Sequence, residues 1–213
     1  MAARALLPLL PLLPLLLPQE DEKGFVPLFN GKDLSGLKFQ FEAKDVDPSK
    51  TFSVKDGTLV CTGSPNGYWY TAKPYKEFTL RFDWRYKRPE GLTDEEKFPG
   101  NSGTILFISE HKVWPKGIEV QGMNRDVAGI IPIECKDQTK FTTDAEARKK
   151  VRKPVGEWNS MEIVSKGGRI EARLNGTLIS TVTQHPFKEG AIGFQSEGAE
   201  IHWRNVRIRE EKP

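Results

Sequence analysis

Carboxylates and amides fall at alternate positions in a few short runs of this chain. In the stretch from Gly117 to Met123, Glu119 and Gln121 point one way while Ile118 and Val120 point the other, the two-residue period of a half-buried strand. Asn101-Ser102-Gly103 opens the preceding run, Glu134 ends the following one, and Gln195 and Glu197 share a face near the C-terminus. Acids and amides on neighbouring strands of a curved sheet can hydrogen-bond sugar hydroxyls, and Trp69 or Trp114 can stack on sugar faces. The same polar residues could instead decorate a solvated sheet face. Trp84 and Trp203 alternate with apolar neighbours and belong to a core, whereas Asp83 lies on the polar side of its strand.

Other chemistries find no support. His111, His185 and His202 sit in separate segments without ligand spacing, so no zinc site is expected. No serine stands in a nucleophile elbow, and neither a phosphate loop nor a dinucleotide fingerprint is present. Asn175-Gly176-Thr177 matches a glycosylation sequon but reads better as a hairpin turn. The 213 residues carry 32 Lys and Arg against 29 Asp and Glu, and this slight excess of base argues against a nucleic-acid partner. With 37% hydrophobic and 29% charged residues, the chain has the composition of a soluble globular protein.

The elements that must position these side chains are short strands. Phe52 to Lys55 and Thr58 to Thr62 flank Asp56-Gly57, a two-residue hairpin signal. Phe78, Leu80, Phe82 and Trp84 alternate with Thr79, Arg81, Asp83 and Arg85. Further strands are expected at Thr104 to Ser109, Gly117 to Met123, Ile130 to Glu134, Met161 to Ser165, Arg169 to Leu174, Gly190 to Ser196 and Ile201 to Arg209. Lys166-Gly167-Gly168 and Asn175-Gly176 supply turns around Arg169 to Leu174. The apolar step from Trp203 to Val206 is odd, which predicts a bulge near Arg204-Asn205. One helix is expected over Asp144 to Lys150, opened by a capping box from Thr143 to Glu146 and sitting on the rim. Strands without alternating helices give an all-β fold, a two-sheet antiparallel sandwich with one short rim helix. The segments Arg88 to Gly100 and Lys136 to Gly156 are long loops that could rim a binding site.

Residues 1–19 stand apart as a signal peptide: one charge, Arg4, precedes nine leucines broken by prolines. The run is too short and too rich in proline for a membrane span, although an uncleaved anchor or a misplaced start are the alternatives. Residues 20–213 then form a single domain with no stable membrane span, secreted or periplasmic. Export permits a Cys61–Cys135 disulfide only if their strands meet; two buried free thiols are the simpler expectation.

Taken in order, the landmarks resemble the 3-keto-disaccharide hydrolase domain family, related in fold to laminarinase-type glucanases and legume lectins. The matching stretches are Leu28-Phe29-Asn30-Gly31-Lys32-Asp33-Leu34-Ser35-Gly36, Asn101-Ser102-Gly103, Glu119-Val120-Gln121, Gly156-Glu157-Trp158-Asn159, Asn175-Gly176, Gly193-Phe194-Gln195 and Arg204-Asn205-Val206-Arg207-Ile208. The resemblance implies a concanavalin-like jelly-roll sandwich and a sugar substrate, a disaccharide or glycoside, whose carbon 3 is a ketone. That ketone acidifies the C2 proton, so a carboxylate base can remove it, eliminate the C1 aglycone and leave hydration to complete a net hydrolysis. On this reading Glu119 is the general base or a metal ligand and Glu134 the second acid-base group. Asn101, Gln121, Gln195 and Glu197 would bind substrate. A divalent cation would suit the chemistry, though its ligands are not evident in the sequence. A retaining glucanase carries Glu-x-Asp-x-x-Glu on one strand, and here the line reads Glu119-Val120-Gln121-Gly122-Met123-Asn124, which lacks the carboxylate pair for double displacement. The alternative is a non-catalytic carbohydrate-binding module on the same sandwich.

Overall fold

The alternation in Phe78–Tyr86 decides the architecture. Phe78, Leu80, Phe82, Trp84 and Tyr86 are all buried, and Arg81, Asp83 and Arg85 face outward. A strand of this kind must cover its apolar face with a second layer. The computed structural model describes residues 22–211, so the predicted signal peptide lies outside the described residues.

In chain order the strands are β1 (Val26–Pro27), β2 (Lys38–Phe41), β3 (Phe52–Lys55), β4 (Thr58–Cys61), β5 (Gly67–Tyr70), β6 (Phe78–Tyr86), β7 (Gly103–Ile108), β8 (Gly117–Gln121) and β9 (Ile130–Ile133). Then follow β10 (Lys140–Thr143), the helix α1 (Ala145–Val151), β11 (Asn159–Lys166), β12 (Arg169–Leu174), β13 (Thr177–Gln184), β14 (Ala191–Ser196) and β15 (Ile201–Glu210). One sheet runs β10-β13-β12-β11-β6-β15-β4-β3, with β1 added against β15. The other runs β2-β5-β14-β7-β8-β9, and every named strand pair in both sheets is antiparallel. Between the sheets lie Trp69, Phe82, Phe194 and Trp203, with Trp69 stacked on Phe194 at 4.3 Å. This is the antiparallel jelly-roll sandwich expected, with one helix at its rim. Among the described residues no helix is long and apolar enough to cross a membrane.

The turn signals hold in detail. Asp56-Gly57 and Asn175-Gly176 take positive φ and close their hairpins, and Asn205 at φ 54 carries the register shift between Arg204 and Arg207. Asn175 also ties three segments together. Its Oδ1 accepts from the Ser160 amide at 2.8 Å, and its Nδ2 donates to the Val151 carbonyl at 2.7 Å and Asn159 Oδ1 at 2.8 Å. The amide nitrogen that a glycan would need is thus already engaged. Asn175→Ala should lower stability by about 2 kcal/mol, because two backbone groups lose partners and a left-handed residue loses its best substitute for glycine. A melt within about 0.5 kcal/mol of wild type would contradict this.

Three expectations need correction. The helix is capped by Asp144, whose Oδ1 accepts from the Ala147 amide at 2.9 Å, and not by Thr143. Thr143 ends β10, where its hydroxyl meets Ser180 Oγ at 2.8 Å. Part of the predicted loop from Lys136 to Gly156 is therefore strand. Trp69, expected to stack on sugar, is fully buried between the sheets. Cys61 and Cys135 are free and buried, and burial pushes the Cys61 thiol up to about 11.

Candidate active site

The outer face of the six-stranded sheet gathers most of the predicted polar residues. Register sets Gly103 opposite Gln121, Ile105 opposite Glu119, Gly193 opposite Ile105, and Tyr68 opposite Gln195. Side chains at these positions share one face. Two of them are glycines, which lowers the surface between β14 and β8. A Cβ built on Gly103 would overlap both Glu119 Oε1 and Gln195 Oε1, so the two side chains meet in the space this glycine leaves.

That meeting changes their chemistry. Glu119 is 5% exposed, and burial followed by the charge of Glu197 pushes its carboxyl up to about 8. A hydrogen bond from Gln195 opposes the rise. Gln195 is 1% exposed and its Oε1 has no hydrogen-bond partner, so an acceptor is buried beside a carboxyl that keeps its proton at neutral pH. Glu197 is half-buried, raised by burial, and held by the Asn101 side chain. Asn101 is itself fixed: it bridges Glu197 and Gly198, and its Oδ1 accepts from the Ser102 amide at 3.0 Å. Ser102 Oγ in turn donates to the Gln195 carbonyl at 2.9 Å. Glu119, Gln195, Glu197 and Asn101 thus form one cluster.

The two other predicted residues stand differently. Gln121 lies on the same face, but its Oε1 accepts from the Met123 amide at 2.7 Å and shapes the turn after β8. Glu134 sits exposed past the end of β9, where Lys112 Nζ donates to both its oxygens at 2.9 and 3.0 Å. The structure does not bring it to the acid cluster. Instead this ion pair helps fix a strap over the face. The Tyr68 hydroxyl donates to the Lys112 carbonyl at 3.0 Å, and His111 stacks on Tyr70 at 4.5 Å. Beneath lies a separate apolar cluster of Tyr68, Ile105, Ile108 and Ala191. Phe107, at φ 66, forms the bulge that puts Ile105 and Ile108 on one side.

Sequence reasoning named Trp69 and passed over Tyr68 and Tyr70. The alternation within Gly67–Tyr70 holds the missing signal, since a buried Trp69 sends both tyrosines to the opposite face. The expected rim loops are joined to each other. Arg88 bonds Glu95 and the Val155 carbonyl, while Arg152 bonds Glu96 at 2.6 Å and the Asn124 carbonyl at 2.7 Å.

Two other hollows lie away from this cluster, on the outer face of the nine-stranded sheet. One of about 550 Å³ surrounds Phe25 and Arg207, and one of about 380 Å³ is lined by Arg81, Glu162 and Arg173. Their charges are mutually paired, as in Arg81–Glu162 at 2.7 Å and Arg207–Glu22 at 2.6 Å, so they form a surface ionic lattice.

The Gly103 gap makes a specific demand. Gly103→Ala should cost about 1–3 kcal/mol by overpacking. It should also depress kcat more than KM, because the added methyl separates Glu119 from Gln195. Unchanged kcat in a folded variant would remove that contact from the chemistry.

Fold and cluster together define an all-β sandwich of the lectin and glucanase type with a buried and a half-buried carboxyl on one sheet face. Residues 24–209 match the family model of the 3-keto-alpha-glucoside-1,2-lyase-like domain, and the chain belongs to that family. No curated protein matches it. Among solved structures, a Parabacteroides distasonis protein described provisionally as a glycosyl hydrolase is similar at 23% identity and TM-score 0.64, over 92% of this chain and 98% of the other. The carbohydrate-binding module CBM66 from Bacillus subtilis is similar at 14% identity and TM-score 0.55, over 82% of this chain and 96% of the other. A Bacillus licheniformis beta-glucanase is similar at 10% identity and TM-score 0.52, covering 88% and 97% of the two chains.

Proposed function

We propose that the protein is a carbohydrate-active enzyme that cleaves 3-keto glycosides by eliminating the C1 substituent, and that Glu119 and Glu197 are its acid–base pair. The observation that carries this reading is a buried Glu119 whose carboxyl is pushed up to about 8 by burial and then by the charge of Glu197, a second and less buried carboxyl. Two titratable groups pushed apart by their surroundings mark a division between acid and base. Family membership supports a carbohydrate substrate, and the glycosyl hydrolase and beta-glucanase likenesses support the same substrate class.

Between the two titrations the pair holds one proton, on Glu119, and Glu197 is the anion. The 3-keto group acidifies the neighbouring C2–H. Glu197 accepts that proton, the C2–H electron pair forms the C1=C2 bond, and the C1–O bond breaks. Glu119 gives its proton to the departing oxygen, so the aglycone leaves as a neutral alcohol. Addition of water across C1=C2 completes a net hydrolysis. Asn101 fixes Glu197, and Gln195 orients Glu119.

Glu197 and the unpartnered Gln195 Oε1 are oxygen donors of the type a hard divalent cation takes. Among the described residues no three His, Cys, Asp or Glu gather, so such an ion would draw further ligands from water and substrate. Bound there, it would polarise the ketone. The signal-like leader fits a role outside the cytoplasm.

The test is to incubate the protein with a 3-keto disaccharide and with its unoxidised parent. Release of monosaccharide from the keto sugar alone is expected. Saturable binding without release would favour the binding-module reading, to which the CBM66 likeness lends its fold.

A further inference from the structure

A cavity of about 360 Å³ opens at the edge of the six-stranded sheet, along the strand that carries Glu119. Its wall begins at Ile131, the cross-strand neighbour of Glu119, and at Gln121, two residues along β8. It ends at Arg125 and at Arg148 of α1. Arg148 is only 8% exposed, and its Nε has no hydrogen-bond partner. Nη2 reaches Asp126 Oδ1 at 3.3 Å, and Arg125 Nε reaches Asp126 Oδ2 at 3.3 Å. One half-exposed carboxylate therefore serves two guanidiniums, both at the long end of hydrogen-bonding range. Among the described residues no other acid lines the cavity, so its wall carries a net positive charge.

A buried guanidinium with an unfilled donor is costly unless something completes it. Fastening α1 to the turn at Asp126 needs only Nη2 and leaves Nε unexplained. The Nε/Nη2 edge of a guanidinium matches two oxygens of a carboxylate or sulfate. Ile131, 40% exposed, and Met123 offer apolar surface for the ring that carries such a group.

We infer that this cavity is a subsite for an oxyanion, a carboxylate or sulfate ester, on the sugar or aglycone next to the cleaved bond. The substrates are then acidic glycosides. As a statement about substrates this rests on the catalytic reading above, but the subsite can be tested by itself.

Matched 3-keto disaccharides that are neutral, uronate-bearing or sulfated should be compared at low salt. An acidic member should show a KM about tenfold below the neutral one. That advantage should vanish in Arg148→Met, with kcat on the neutral sugar unchanged. Should Arg148→Met fail to fold, the exposed Arg125→Ala substitution should weaken the preference instead. Whichever acid is preferred identifies the source of the anion. Equal KM values in wild type, or a preference that survives substitution, would overturn the subsite. If no keto sugar is turned over, calorimetry with unoxidised acidic and neutral disaccharides reads the subsite alone. Arg148-dependent preference for the acidic sugar then upholds it, and equal affinity overturns it.

Discussion

Glu119→Gln should lower turnover of a 3-keto glycoside roughly 10³-fold, the scale of a lost acid–base group, and yet make the protein more stable. The second half follows from burial. Glu119 releases its proton near 4.5 in the unfolded chain and only near 8 when folded. Between those values the unfolded state binds fewer protons than the folded one, so stability falls as pH rises and the loss is complete above about 8. Glutamine carries no such penalty, and its amide can donate to the unpartnered Gln195 Oε1. The variant should therefore gain on the order of 4 kcal/mol over wild type at pH 8 and nothing below pH 4.5. Melting curves of both proteins across this range check the claim. A variant that is less stable at every pH would show that Glu119 is a structural carboxylate.

Glu197→Gln should have two effects at once. Removing the base costs turnover, again roughly 10³-fold. Removing the charge that helps hold Glu119 up should also bring the Glu119 carboxyl down from about 8. In wild type the pH profile should therefore be bell-shaped, rising as Glu197 ionises above the usual carboxylate range and falling near pH 8 as Glu119 loses its proton. Carboxyl infrared bands, compared between wild type and Glu197→Gln, follow Glu119 directly. Lost turnover with an unmoved Glu119 titration would break the pair apart.

The sequence declares those features whose physics is local. Asp56-Gly57 and Asn175-Gly176 demand left-handed turns, and the odd step between Trp203 and Val206 can only be a bulge. Glu119 was visible for the same reason, since alternation alone places it opposite Ile118 and Val120. What the sequence conceals depends on distant partners. Glu134 ends a strand beside Glu119's own, yet Lys112, from another loop, draws it into an ion pair at the surface. Thr143 and Glu146 have capping-box spacing, but pairing of β10 with β13 claims Thr143 and passes the cap to Asp144. Arg148 carries no signal at all in a run of basic residues. Only the packing of α1 on the turn at Asp126 buries it.

On the proposed mechanism, cleavage passes through loss of the C2 proton to this acid pair. A 3-keto disaccharide deuterated at C2 of the ring to be released tests it most directly. Slowed cleavage is expected, with the deuterium washed into solvent and absent from the product. Cleavage at an undiminished rate with the C2 deuterium retained would contradict it.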